Sequence, residues 1–380
     1  HTMNYYQETF NAFLLPSICA LFMGGFAKLV YFLVSLTGAG NLICLAVAGV
    51  THGHLWEVVS RMNRGDFKIV GVAEPRDEYS VNNELARRLD ASLFYADLGK
   101  MLDETKPEVV VAYGSIYDHL AVVEACGPRG IHVMVEKPLA ANLKDARKIG
   151  AIARKYGIMV LTNYETSWYG TNKKVKEMVD AGDIGTVRKI LVYDGHRGPV
   201  EIGCSKKFTD WLTDPVLNGG GAVIDFGCYG ADLATWILNG KRPDKVYAVL
   251  QHNKPDVYPK VDDDATIILS YPGVTVQVMG SWCWSYNRKD MYVYGTDGYL
   301  YQETPRRMTG MIGNKRLGPI EAEPLQSPND NSFRYLKAAV RGEMTVQDTD
   351  LGALETNLIV VEILDAAIRS SKSGKAVSLR

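Results

Sequence analysis

The chain has 380 residues, which is long for one hydrophobic core and favours two domains. Hydrophobic residues make up 47% of it and charged residues 22%, a composition that excludes a disordered protein. The formal net charge of −1, without a basic stripe carrying interleaved aromatic residues, argues against nucleic acid as a partner. The six cysteines are scattered without a CxxC pair, so we expect neither a metal site nor a disulfide framework.

The amino-terminal segment differs from the rest of the chain. Residues 12–36 are almost wholly apolar, and Lys28 is their only charged residue. This length fits a signal peptide or a membrane anchor, although no Lys or Arg precedes Lys28 to form a positive flank. We therefore interpret residues 1–40 as an apolar leader: a signal peptide, an anchor or an overextended start. We expect an exported (periplasmic) or membrane-anchored protein, with a cytoplasmic one as the alternative and membrane contact only through residues 12–36.

From residue 41 to residue 163, short apolar runs alternate with helical stretches. Apolar strands that alternate with helices predict a doubly wound parallel sheet of the Rossmann type, covered on both faces. The predicted strands are Ile43–Ala48, Phe67–Ala73, Val109–Ala112, Ile131–Val135 and Ile158–Leu161. The predicted helices are Leu55–Met62, 82–89, 118–126 and 142–156.

Residues 164–380 have a different sequence pattern, in which predicted strands follow one another and are separated by turn residues. This pattern predicts an α+β domain with a largely antiparallel sheet, which we expect to hold the substrate and to form a homo-oligomer. The predicted strands are Val187–Tyr193, Val246–Gln251, Ala265–Ser270, Val274–Ser281 and Met291–Tyr294. The predicted helices are 171–181, Gly230–Leu238, 332–340 and 356–369, of which the last two could pack back on either domain.

A weak glycine-rich turn, GVTHGH at residues 49–54, follows the first predicted strand. Dinucleotide folds place their phosphate-binding turn between the first strand and the first helix. The first glycine of GxGxxG is present, but threonine and histidine occupy the second and third glycine positions, so only the location supports the turn. The cofactor contacts predicted here are Gly49, Thr51, His52, Gly53 and His54.

An acidic residue in a suitable place strengthens this prediction. Glu74 ends the second predicted strand, 21 residues after Gly53, where a carboxylate should accept hydrogen bonds from the adenosine ribose. Its charge would repel a 2′-phosphate, so NAD is favoured. Arg76 lies nearby and a guanidinium can accommodate that phosphate, so NADP stays open. A solvated carboxylate at a strand end is the alternative interpretation of Glu74.

Two further blocks carry the most specific signal. Glu136 and Lys137 follow the apolar run 131–135, and Pro138 must end that strand because it has no backbone N–H. A carboxylate and an ammonium are thus presented at the edge where open α/β sheets bind ligands. Alone, this could be an ordinary strand end. A second block, GGGAVIDFGCYGAD at residues 219–232, makes a functional site the better interpretation.

Together the two blocks resemble the glucose–fructose oxidoreductase/inositol dehydrogenase (Gfo/Idh/MocA) family of nicotinamide-dependent enzymes, over roughly residues 42–300. The resemblance implies that Lys137, Asp225 and Tyr229 form the catalytic group. Most members have His at the last position, and Tyr229 is similar to the glucose–fructose oxidoreductase branch.

The resemblance also implies cofactor contacts outside the glycine-rich turn. The loop after the third long strand, with Ser115 and His119, would lie against the cofactor, although Gly114-Ser115 departs from the usual Pro-Asn. A helix-capping role for Asp118 is an equally good interpretation of part of this loop. Glu136 would reach the nicotinamide ribose, beside Lys137.

The catalytic chemistry depends on the ionisation of a phenol. Tyr229 can act as a base only if its pKa, about 10 when unperturbed, is lowered. We expect the ammonium of Lys137 to lower it, and Asp225 to orient a hydroxyl or share the proton. Four-residue spacing places Asp225 and Tyr229 on one face if the segment is helical. The alternative is that Asp225 caps a helix and Tyr229 is a packed aromatic residue.

Other residues could contact the substrate. His196, Arg197 and Trp211 are candidates, because an aromatic face beside polar groups suits a sugar ring, although tryptophan is more often a core residue. The acidic run 262–264 lacks the ligand spacing of a metal loop and is predicted to be a solvated charge run.

Three functions are compatible with these residues. The first is an NAD(P)-dependent dehydrogenase or reductase that acts on a sugar, a polyol or a sugar derivative. The second is glycoside cleavage by transient oxidation and elimination, with tightly bound NAD. The third, a non-catalytic dinucleotide-binding sensor, is disfavoured because Lys137, Asp225 and Tyr229 are all present.

Overall fold

The computed structural model describes residues 42–74 and 84–379. The predicted leader lies outside these residues. Within the described ranges, no helix is both long enough and apolar enough to cross a membrane.

The first sheet is parallel and has six strands in the order β3-β2-β1-β4-β5-β6. The prediction of a Rossmann-type sheet is confirmed, because the apolar runs form strands buried on both faces. The strands are β1 (Ile43–Ala48), β2 (Phe67–Ala73), β3 (Phe94–Tyr95), β4 (Val109–Ala112), β5 (His132–Glu136) and β6 (Val160–Asn163). The two-residue strand β3 was not predicted.

Five α-helices accompany this sheet in the described residues. They are α1 (Trp56–Arg61), α2 (Glu84–Arg88), α3 (Leu98–Thr105), α4 (His119–Cys126) and α5 (Leu143–Tyr156). The strand order reverses between β1 and β4, and ligands of open α/β sheets bind at the carboxyl ends of the strands at such a point.

The second sheet is mainly antiparallel and has nine strands in the order β14-β13-β12-β11-β7-β10-β9-β8-β15. Its strands are β7 (Val187–Gly195), β8 (Lys245–Gln251), β9 (Asp264–Tyr271), β10 (Val274–Ser281), β11 (Arg288–Gly295), β12 (Gly298–Gln302), β13 (Arg307–Ile312), β14 (Lys315–Glu321) and β15 (Val377–Ser378). The pair β7–β10 is parallel, and the chain between these two strands includes three helices and the strands β8 and β9. Strands β12 to β14 were not predicted; glycine and charged residues interrupt their apolar pattern.

Six α-helices lie in the described residues of this second part of the chain. They are α6 (Gly170–Asp180), α7 (Lys206–Leu212), α8 (Ala222–Asp225), α9 (Gly227–Ile237), α10 (Ser332–Val340) and α11 (Leu354–Ser373). Helix α9 is buried along most of its length and approaches β10 so closely that a Cβ on Gly230 would lie 2.3 Å from Val278 Cγ1. Helix α11 contributes Ile363 to the core of the second sheet and Val361 to the core of the first.

Candidate active site

Lys137 and Asp225 form a buried ion pair at the carboxyl edge of the first sheet. Lys137 directly follows β5, and its Nζ donates to Asp225 Oδ1 at 2.5 Å and to the Asp225 carbonyl oxygen at 2.6 Å. Burial opposes both charges, but the Asp225 carboxylate raises the pKa of Lys137, and the ammonium lowers the pKa of Asp225 to about 2. Trp282 Nε1 donates to the second oxygen of Asp225 at 2.9 Å. The pair is therefore ionised, and both carboxylate oxygens of Asp225 accept a hydrogen bond.

The start of helix α8 is held by Asp262, which places Asp225 one helical turn later. The carboxylate of Asp262 accepts the backbone N–H groups of Gly221 at 2.8 Å and Val223 at 2.7 Å. A Cβ on Gly221 would lie 1.8 Å from the Asp262 carbonyl oxygen, so this approach requires glycine. The prediction of a solvated charge run is wrong for Asp262 and Asp263, which are both buried.

Tyr229 lies in the next helix, because Phe226 interrupts the helical segment between α8 and α9. Its side chain is only 1% exposed, and Lys137 Nζ lies 5.0 Å from the centroid of its ring. Burial and then the carboxylate of Glu165 raise the pKa of Tyr229 well above its usual value. The prediction that this pKa is lowered is wrong, because burial is the largest cause and raises it. Tyr229 is a protonated phenol.

One cavity of about 590 Å³ brings the predicted catalytic residues together. Its lining includes Lys137, Asp225 and Tyr229, as well as Lys289 and Glu165, which the sequence analysis missed. Lys289 Nζ lies 2.5 Å from Glu165 Oε2 and 4.6 Å from the centroid of the Tyr229 ring. The sequence gives only a weak indication of these two cavity residues. Glu165 follows the end of β6, and Lys289 lies in a strand without a distinctive motif.

The three predicted substrate residues have different positions. His196 lines the cavity, and its Nδ1 accepts the backbone N–H of Gly198 at 3.0 Å, which leaves the proton of the neutral ring on Nε2 as a donor. Burial lowers the pKa of His196, so the neutral ring is favoured. Among the described residues that line the cavity, neither Arg197 nor Trp211 is found.

These two positions correct the prediction. The Arg197 side chain is exposed, and its carbonyl oxygen accepts a hydrogen bond from Lys254 at 2.6 Å. Trp211 is buried against His52, with ring centroids 5.3 Å apart. Trp211 is therefore a packing residue behind the glycine-rich turn.

The glycine-rich turn lies against the loop that follows β4. Gly49 has a φ of +79°, and a Cβ there would lie 2.5 Å from the backbone nitrogen of Gly114, so only glycine fits. The backbone N–H groups of Thr51 and His52 both donate to the Tyr113 carbonyl oxygen, at 3.0 and 2.8 Å. The turn is thereby fixed, with Gly53 opening the short 3₁₀ helix Gly53–Leu55.

Glu74 is buried beside this turn. Its Oε2 accepts the backbone N–H of Val50 at 3.0 Å, so the carboxylate supports the turn itself. Solvation of Glu74, the alternative interpretation, is wrong. Arg76 lies outside the described residues.

The loop after β4 is held by local hydrogen bonds. The carboxylate of Asp118 accepts hydrogen bonds from the Ser115 hydroxyl at 2.8 Å and from the Ser115 N–H at 3.2 Å. These bonds support the capping interpretation of Asp118. His119 is buried, and burial lowers its pKa to about 4. Its Nδ1 lies 3.1 Å from the Leu139 carbonyl oxygen, so the neutral ring fixes the turn that carries Lys137.

Glu136 is the centre of a buried polar network. Its oxygens contact His54 Nδ1 at 2.9 Å and Asn163 Nδ2 at 2.8 Å, and Asn163 faces it in the register of β5 and β6. Burial raises the pKa of Glu136, but the facing His54 outweighs it and lowers the pKa to about 2. Asn163 was missed from the sequence, where the parallel register could have identified it.

His52, His54 and Glu136 also form the kind of cluster that can hold a metal ion, with ligand atoms within 4.8 Å of one another. However, His52 Nδ1 accepts the backbone N–H of His54 at 3.0 Å. The neutral ring then carries its proton on Nε2, whereas a metal-bound histidine usually donates its second nitrogen. This hydrogen bond favours a donor role for His52, and the expectation of no metal stays a prediction.

Comparison with known proteins identifies the family. Residues 38–164 match the oxidoreductase family with an NAD-binding Rossmann fold, and residues 172–301 match the Gfo/Idh/MocA C-terminal domain. The chain belongs to the Gfo/Idh/MocA family. It is an NAD-dependent oxidoreductase that acts on CH–OH groups, and its cofactor is NAD.

The relatives are distant but cover most of the chain. The trans-1,2-dihydrobenzene-1,2-diol dehydrogenase of Xenopus tropicalis is 24% identical over 319 residues, which are 80% of this chain and 90% of the relative. The enzyme of that name from Oryctolagus cuniculus is 27% identical over 294 residues, which are 76% and 82% of the two chains.

Two solved structures have the same fold. The aldose-aldose oxidoreductase from Caulobacter crescentus, complexed with glycerol, has a TM-score of 0.74 at 20% identity and covers 89% of this chain and 100% of its own. An inositol dehydrogenase homolog from Azotobacter vinelandii, complexed with NADH and myo-inositol, has a TM-score of 0.73 at 16% identity, with coverage of 89% and 98%.

The residues of this Gfo/Idh/MocA chain fit the dinucleotide. Thr51 Oγ1 is buried in the glycine-rich turn and has no hydrogen-bond partner among the described residues, so it can donate to a phosphate oxygen. Gly49 allows the close packing of two loops at the switch point of the sheet. Thr51, His52 and Gly53 would hold the phosphates, and Glu74 would accept hydrogen bonds from the adenosine ribose.

Proposed function

We propose that this protein interconverts a secondary alcohol and a carbonyl on a neutral sugar, polyol or related diol, with Tyr229 as the acid/base group. The observation that carries the proposal is that Lys137, Asp225 and Tyr229 line one cavity at the carboxyl edge of the Rossmann sheet. The names of the relatives support the substrate class, since they describe enzymes of a diol and complexes with glycerol or myo-inositol.

The charges of the cavity favour a neutral substrate. Each of its three cationic side chains already has a carboxylate partner: Lys137 pairs with Asp225, Lys289 with Glu165, and Arg288 with Asp290. A carboxylate or phosphate on the substrate would have to displace one of these partners. A hydroxyl group can instead accept from the cation and donate to the carboxylate of the same pair.

The protonated phenol of Tyr229 suits the donation of a proton to a carbonyl oxygen. In the reductive direction, Tyr229 Oη gives its proton to the carbonyl oxygen, which becomes the hydroxyl. In the oxidative direction, the phenolate takes the proton back. Bound nicotinamide supplies the hydride donor or acceptor. Lys137 uses two of its three N–H bonds on Asp225, so the third can hold the substrate oxygen.

The test is a turnover assay on the purified chain with NAD and a panel of neutral diols, polyols and sugars. Formation of NADH, read at the nicotinamide absorbance band, supports the proposal. The nucleotide released by denaturation should also be identified. Bound NAD with glycoside cleavage and no net NADH would contradict a simple dehydrogenase and favour transient oxidation and elimination. Bound NAD with neither reaction would favour a sensor.

We also propose that two copies of the chain associate through the open face of the second sheet. One row of side chains on this face crosses six strands in register and is half-buried or exposed throughout. The row is Tyr247, Ile268, Gln277, Leu191, Tyr292 and Tyr301. Tyr292 and Tyr301 stack at 3.9 Å. Light scattering on the purified chain should give a dimer or a larger assembly, and a monomer would contradict the proposal.

A further inference from the structure

The pair formed by Lys289 and Glu165 bridges the two sheets beside Tyr229. Lys289 lies on β11 of the second sheet, and Glu165 follows β6 of the first. Their side chains are 22% and 44% exposed, and both line the cavity, so a bound molecule can reach them. Lys289 Nζ is 4.6 Å from the centroid of the Tyr229 ring, a distance similar to the 5.0 Å of Lys137.

We propose that Lys289 and Glu165 form a second hydroxyl-binding subsite, which makes the enzyme selective for vicinal diols and the α-hydroxy carbonyls formed from them. This inference rests on the proposed function, because Tyr229 must handle the reacting oxygen. The neighbouring oxygen of a vicinal diol is one carbon–carbon bond away. A hydroxyl there accepts from the Lys289 ammonium and donates to the Glu165 carboxylate, so neither charge is left unpaired.

The surroundings of Lys289 leave it able to bind a ligand. Its cross-strand neighbour is Asp194, which is buried and has Oδ1 without a hydrogen-bond partner among the described residues. Burial raises the pKa of Asp194, which favours its neutral form and weakens its competition with Glu165 for the ammonium. Glu165 is held in place from its other side, because Tyr169 Oη donates to Glu165 Oε1 at 2.5 Å.

A neighbouring cation of the cavity, Arg288, is fixed by contacts with the protein. Arg288 makes two hydrogen bonds of 2.8 Å to Asp290, and its guanidinium stacks 3.9 Å from the centroid of the Tyr193 ring. One edge of its guanidinium is therefore occupied by Asp290 and one face by Tyr193. Lys289 has a flexible ammonium that pairs with Glu165 and lies over the Tyr229 ring, so it is the cation that can share its donors with a substrate.

The experiment compares a cyclic vicinal diol with the cyclic alcohol that lacks the second hydroxyl. We measure kcat/KM with NAD for both and take the ratio as the diol preference. Lys289→Met and Glu165→Gln should each lower this preference by about 10- to 100-fold, the range for a lost hydrogen bond to a charged group. Glu165→Gln keeps an oxygen for Tyr169, so it decides the test if Lys289→Met does not fold.

A matched surface pair provides the control variant. Lys206 and Asp210 form an exposed ion pair of 2.6 Å on helix α7, and Lys206→Met should leave the preference unchanged. An unchanged preference in Glu165→Gln, or an equal loss for both substrates, overturns the subsite; equal loss would assign the pair to the environment of Tyr229. If the unmodified protein oxidises neither alcohol, the proposed function itself is overturned, and the subsite with it.

Discussion

The ammonium of Lys137 is bound to Asp225, a residue 88 positions later, through both the side-chain carboxylate and the main-chain carbonyl. The family motif brings these residues together, but their contact changes what Lys137 does. An ammonium paired at 2.5 Å with a carboxylate has little net field at a third group. In the proposed mechanism, Lys137 therefore acts on the substrate oxygen through a hydrogen bond, while burial is the largest cause of the raised pKa of Tyr229.

Removal of the Tyr229 hydroxyl should separate chemistry from binding. Tyr229→Phe keeps the packed ring, so NAD binding should survive, while kcat should fall by about 10²–10⁴, the usual loss for a positioned acid or base. Lys137→Ala should be at least as damaging, and the double variant should lose less than the product of the two effects. Steady-state kinetics and nucleotide titration measure both quantities. Unchanged turnover in Tyr229→Phe would remove Tyr229 from the mechanism.

The raised pKa of Tyr229 predicts how the two reaction directions depend on pH. Below that pKa the phenol is protonated, so kcat/KM for carbonyl reduction should be constant from about pH 6 to pH 10. Oxidation needs the phenolate, so its kcat/KM should keep rising with pH and show no plateau below about pH 10. An oxidative plateau near neutral pH would mean that the bound cofactor or substrate lowers the pKa, contrary to this prediction.

Glu74 should control the choice between NAD and NADP. Glu74→Gln keeps an oxygen that can accept the Val50 N–H but removes the charge that repels a 2′-phosphate. In the variant, the dissociation constants of NAD and NADP should become more similar, mainly because NADP binds more tightly. Fluorescence titration of both nucleotides provides the measurement. If the unmodified chain already prefers NADP, the argument from Glu74 is wrong and Arg76 dominates.

Loss of the Asp262 side chain should reduce stability and turnover more than loss of the Asp264 side chain. Asp262→Ala leaves the N–H groups of Gly221 and Val223 without their acceptor, which should cost about 1–3 kcal/mol of stability and lower kcat by displacing Asp225. Asp264→Ala removes a similar charge at the start of β9 and is the matched control. Thermal unfolding and turnover measurements should both show a larger loss for Asp262→Ala than for Asp264→Ala. Equal effects would mean that the acidic run acts only through its charge.

Residues 1–40 should be dispensable for the fold, since the first strand of the sheet begins at Ile43. A shortened chain starting at residue 41 should remain soluble and bind NAD with unchanged affinity. Aggregation of the shortened chain would show that the apolar segment contributes to the core. Export is a separate prediction, tested by cell fractionation: full-length protein found only in the cytoplasm would contradict it.

Much of the first domain was predictable because its signals are local. A run such as Val109–Ala112, buried throughout, predicts a strand of a covered parallel sheet, and Pro138 predicts where β5 ends. The two motifs that contain Lys137, Asp225 and Tyr229 carried the resemblance to the family, and that resemblance implied that the three residues share a site. Strands β12 to β14 were not predictable in this way, because their stability comes from pairing with neighbours.

What the sequence by itself determined is therefore the alternation of strands and helices in the first domain, the position of the cofactor turn and the identity of three candidate catalytic residues. The tertiary structure decided which charges face one another. Lys289 meets Glu165 across 124 positions, and Asp262 meets Gly221 across 41. A charged residue looks solvated until its distant partner is known. The pKa of a buried group such as Tyr229 depends on burial and on every nearby charge, which only the folded chain brings together.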